Sequence, residues 1–110
     1  MDDFTRKVLR RLVFRPETLS RNKYFSAFDE PQMRRLRRSA KHLRSVLDAL
    51  VTTPLEQVSL APLDDERWEI CIESPATHAR RTLRVSGDEL GLLCEHPAST
   101  ALRRHRRALA

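Results

Sequence analysis

Glycine is nearly missing from this chain: Gly87 and Gly91 are the only two in 110 residues. Phosphate-cradling loops need glycine to bring backbone amides against an anion, so the shortage argues against P-loop and dinucleotide fingerprints. Cysteine is equally scarce. Cys71 and Cys94 do not make a disulfide framework, and no C-x-x-C or H-x-x-x-H spacing accompanies them. A zinc site assembled from Cys94 and His96 with Cys71 or His78 therefore has no support in spacing, and two reduced thiols are the simpler reading. Long apolar runs are absent too. The stretches Leu12–Phe14 and Leu92–Cys94 fall far short of the roughly 20 residues that cross a bilayer as a helix. The start, Met1-Asp2-Asp3, is the reverse of a basic signal-peptide opening, so a reducing cytoplasm is the expected setting.

Catalytic signatures are lacking as well. There is no G-x-S-x-G, no H-E-x-x-H and no Walker loop. The acidic cluster Asp64, Asp65 and Glu66 falls in an expected hairpin turn, where solvated charge is the ordinary explanation. The expectation is a non-enzymatic protein without metal or cofactor. Aromatics are sparse, with one Trp, one Tyr and four Phe, which leaves little for stacking nucleic-acid bases.

What the chain does have is charge, and the charge is segregated. The formal net value is +6, but residues 1–50 carry 13 basic and 6 acidic side chains, residues 51–98 carry 4 and 9, and residues 99–110 carry four arginines and no acid. Such a field steers association with acidic surfaces, whether protein, nucleic acid or anionic lipid. Arginine outnumbers lysine 18 to 3, which favours bidentate carboxylate contacts and also fits a coding bias.

The pattern of apolar residues predicts an α+β fold in the order α-α-β-β-β-α. Phe4, Val8 and Leu12, widened by Leu9 and Val13, mark an amphipathic helix over Asp3 to Phe14, stopped by Pro16. A second, longer helix runs from about Glu30 to Val51, with Asp29 as its cap and Pro31 near its first position. Met33, Leu36, Ala40, Leu43, Leu47 and Leu50 form its core stripe. Arg34, Arg35, Arg37, Arg38, Lys41 and Arg44 crowd the rest, with no acid between Glu30 and Asp48. These cations repel one another, so an acidic partner would be favoured there.

Val58 and Leu60, then Trp68, Ile70 and Ile72, then Leu83 and Val85, alternate as three short antiparallel strands, with Arg84 set to pair across to Glu69 or Glu73. Cys71 falls on the outer face of that meander. Ser86 and Glu89 form a capping box ahead of Leu90, Leu92 and Leu93. The helix breaks near Pro97 and resumes from Ser99 as a basic tail with little apolar surface to dock. Residues 1–98 are expected to make one compact α+β domain, and residues 99–110 a helical or frayed basic tail.

Between the helices lies a connector holding Tyr24, Phe25 and Phe28. Its aromatics either cap the core or form recognition anchors beside the basic helix. The reading that combines these features is a small cytoplasmic adaptor or regulator. Its partner-binding residues are Arg34, Arg35, Arg37, Arg38, Lys41 and Arg44, with Tyr24, Phe25 and Phe28 as apolar anchors, and its partner is an acidic protein surface. The competing reading is a nucleic-acid binder making non-specific phosphate contacts. A membrane surface is less favoured, because the stripe of the first helix is needed for the core. The Met33–Leu50 stripe also leaves a homodimer open.

Overall fold

The computed structural model describes residues 1–15 and 28–109, and its elements follow the order α-α-β-β-β-α, with the C-terminal helical part in two pieces. The chain divides into two units, Met1–Ser45 and Val46–Ala110.

In the first unit, α1 spans Asp3–Phe14. It begins where the Asp2 carboxylate accepts from the Thr5 amide at 2.6 Å, which satisfies one of the donors a helix start leaves open. Val8, Leu9, Leu12 and Val13 are buried, while Phe4 stays 39% exposed. The long helix α2, Glu30–Val51, crosses from the first unit into the second. Its cap is reciprocal. Asp29 Oδ1 accepts from the Gln32 amide and Gln32 Oε1 accepts from the Asp29 amide, both at 2.9 Å, the arrangement of a capping box. All six residues of the expected stripe are buried, and Val46 joins them at 0% exposure. The stripe is therefore covered within the chain.

In the second unit the sheet order is β1-β2-β3, with β1 over Val58–Pro62, β2 over Arg67–Glu73 and β3 over Arg80–Ser86, all antiparallel. Side chains alternate across a strand. One face accordingly carries Val58, Leu60, Ile70 and Val85, all buried. The other carries Glu69, Cys71 and Glu73 opposite Arg84, Thr82 and Arg80, so the expected Arg84–Glu69 juxtaposition is in register. Cys71 lies on the outer face, as expected, and is only 6% exposed, with Arg80 folded over it and Nε 2.8 Å from the sulfur.

Helix α3, Gly87–Leu93, starts with the complete box read from the sequence: Ser86 Oγ accepts from the Glu89 amide at 3.1 Å and Glu89 Oε1 from the Ser86 amide at 2.9 Å. It packs on β2 and β3, while α4, Thr100–Leu109, packs on β1. Leu90, Leu92, Leu93, Ala101 and Leu102 close the apolar side of this unit. The basic tail thus docks, contrary to its low apolar content. Two buried side chains suffice because His105 Nε2 also meets the Val58 carbonyl at 2.7 Å.

Candidate protein-binding surface on the long helix

With the stripe of α2 turned inward, the helical repeat of 100° per residue fixes where every other side chain points. Arg34, Arg38 and Lys41 fall on the line opposite the stripe. Arg37 and Arg44 lie along one flank and Arg35 on the other. All six are exposed. From Arg34 to Arg44 the array runs about 15 Å along the axis.

Among the described residues, only one of the six makes an ion pair with an acid. Arg34 Nε lies 3.8 Å from Glu30 Oε1, with both side chains about 70% exposed, an ion pair too solvated to matter much for stability. Among the described residues Arg35, Arg37, Arg38, Lys41 and Arg44 make no hydrogen bond or ion pair through their side chains. Their spacing instead sets them against one another. Arg34 and Arg38, and Arg37 and Lys41, are like-charge pairs one turn apart, the arrangement that destabilises a helix.

The other basic residues are used differently. Arg103, in the C-terminal arginine run, donates from one guanidinium nitrogen to the carbonyls of Cys94 at 2.9 Å and His96 at 2.7 Å, and from the other to Thr100 Oγ1 at 3.1 Å. It closes the link between α3 and α4 and is not part of an interaction surface. Arg67 grips Asp64, with Nε 2.7 Å from Oδ2. Asp64 Oδ1 also accepts from the amides of Glu66 and Arg67 at 2.9 and 2.8 Å. The Arg67 side chain, helped by these amides, holds the Asp64 carboxyl below its ordinary range. One member of the acidic cluster is thereby committed to shaping the β1–β2 turn.

Of the three aromatic candidates, Tyr24 and Phe25 lie outside the described residues. Phe28 is half-buried and stacks on Phe4 of α1, with ring centroids 5.3 Å apart and planes at 22°. That contact favours the capping role over the anchor role for Phe28. Among the described residues no group of three His, Cys, Asp or Glu side chains is placed to hold a metal ion. His96 Nδ1 instead accepts from the Ala98 amide at 3.1 Å. No described helix is long and apolar enough to cross a membrane.

Sequence reasoning brought the six cations together correctly on one element, since the stripe and the charges share one periodicity. It missed the structural use of Arg103, because an arginine nine residues beyond the carbonyl it caps leaves no mark in a local pattern. No protein-family model, curated protein or solved structure matches the chain.

Proposed function

We propose that this protein is a small non-enzymatic adaptor or regulator that binds an acidic surface of a partner protein through the outer arc of α2. The observation that carries the reading is the array of five exposed cations, Arg35, Arg37, Arg38, Lys41 and Arg44, whose side chains make no hydrogen bond or ion pair among the described residues. A folded helix that concentrates mutually repelling guanidinium groups gains most from a ligand that supplies carboxylates in return. Arginine dominates the array, and its planar fork suits carboxylates better than an ammonium does.

Sequence-specific nucleic-acid recognition is disfavoured, because the arc presents no Asn or Gln to read a base edge and the Gln32 carbonyl oxygen is spent on capping Asp29. Non-specific phosphate contacts are the reading that the nuclease and salt arms of the test separate from protein binding.

The test is affinity capture from native lysate by the wild-type chain and by the R34E/R38E/K41E variant, with and without nuclease. The expected result is one protein at stoichiometric amount, retained after nuclease and lost with the variant. Recovery of nucleic acid that elutes as salt rises would replace this reading with phosphate binding. Undiminished capture by the variant would remove the arc from the site.

A further inference from the structure

Within the first unit, α1 and the first half of α2 leave a shallow groove of about 250 Å³. Leu9 and Leu36, 1% and 8% exposed, form its floor. Phe28 lines one side, its ring backed by Phe4 at 5.3 Å. Ser39 and Gln32 also line the groove, and Gln32 has its carbonyl oxygen already committed to the Asp29 amide. Met1 and Thr5 of the N-terminal end complete the lining together with Arg35, which is exposed and without a partner among the described residues. The groove is thus apolar at the bottom, cationic at one edge, and continuous through Arg35 with the line of Arg34 and Arg38.

We propose that this groove receives a single apolar side chain from an acidic segment of the partner protein, with a neighbouring carboxylate of that segment paired to Arg35. The inference rests on the reading that the α2 arc binds an acidic protein surface, and it adds what distinguishes one acidic segment from another. Charge alone attracts any polyanion and discriminates little, whereas an apolar anchor seated in a pocket and ringed by polar contacts sets specificity. The volume leaves room for one side chain. The charge complementarity of Arg35, Arg34 and Arg38 selects an occupant carrying carboxylates.

The experiment titrates the full chain with two labelled Glu/Asp-rich peptides of equal charge, one with a central Leu and the other with Ala in its place. The Leu peptide is expected to bind about tenfold more tightly, the effect of one well-buried aliphatic side chain. Ser39→Phe fills the groove and should abolish that difference. Ser39→Leu serves if the larger ring unfolds the unit, as judged by circular dichroism. Arg35→Glu should weaken both peptides. Equal affinity of wild type for the two peptides overturns the groove inference and leaves the proposed function standing. A Leu preference that survives a folded groove-filling variant also overturns it. Failure of both peptides to bind removes the proposed function itself.

Discussion

Arg103 has a structural role that the exposed Arg104 beside it does not share. Its guanidinium satisfies the Cys94 carbonyl and adds a second donor to the His96 carbonyl, which also accepts from the Ser99 amide. Hydrogen bonds from a charged donor are worth about 1.5–3 kcal/mol each way the partner is lost, so Arg103→Ala should lower stability by that order in urea titration. Arg104→Ala, at an exposed position, should stay within about 0.5 kcal/mol of wild type. Arg103→Lys keeps the charge but not the fork, and should recover only part of the loss. At His78 the backbone itself is strained. Its φ of 57° lies in the left-handed region, where a side chain is disfavoured and glycine is not. His78→Gly should therefore stabilise the β2–β3 hairpin by about 0.5–1 kcal/mol, read from the shift in unfolding midpoint. A loss instead would mean that the ring makes up for its backbone cost.

The elements themselves were largely written in the local pattern. Period-two alternation marked β1, β2 and β3, and the Ser86–Glu89 box announced α3 to the residue. The box at α2 was half visible, because Asp29 was recognised as a cap while Gln32, three residues on, was not connected to it. Alternation places Cys71 on the outer face but does not report that Arg80 bends over it, because it encodes which way a side chain points and not what covers it. Asp64 is where an element's stability becomes pH-dependent. Its carboxyl titrates below the ordinary carboxylate value of 3.8 because Arg67 and two amides favour the charged form. A depressed folded-state value contributes stability that is fully present above 3.8 and is lost as the pH falls through the lower, folded value. Asp64→Asn keeps an oxygen that can accept from the amides of Glu66 and Arg67 but removes the titration. Its unfolding free energy should fall less steeply than that of wild type as the solution is acidified below pH 3.8. Parallel acid profiles for the two proteins would show that the turn does not depend on the charge of Asp64.

At the scale of the molecule the governing fact is uneven charge: residues 1–45 hold 13 basic and 5 acidic side chains, residues 46–110 hold 8 and 10. The candidate site was legible to the extent that it is a property of one helix, since the stripe of α2 decides which cations face outward. The groove beside it was not, because it depends on how α1 and α2 pack, which no single periodicity encodes. The proposed binding and stability oppose each other on this arc. Arg38 has Arg34 one turn before it, Arg35 three residues before it and Lys41 three residues after it, so Arg38→Glu turns three repulsions into attractions. At a few tenths of a kcal/mol per pair the gain is about 1 kcal/mol, which for a domain of this size raises the melting midpoint by about 4–8 °C. The gain should be largest at low ionic strength and should shrink as salt shortens the screening length from about 30 Å at 0.01 M to about 3 Å at 1 M. Wild type, relieved of self-repulsion by the same salt, should become more stable over that range while the variant changes little. The variant should also lose affinity for the acidic peptides. A midpoint unmoved by Arg38→Glu at low salt would mean that the arc stores no electrostatic strain, and its cations would then have to be explained by solvation alone.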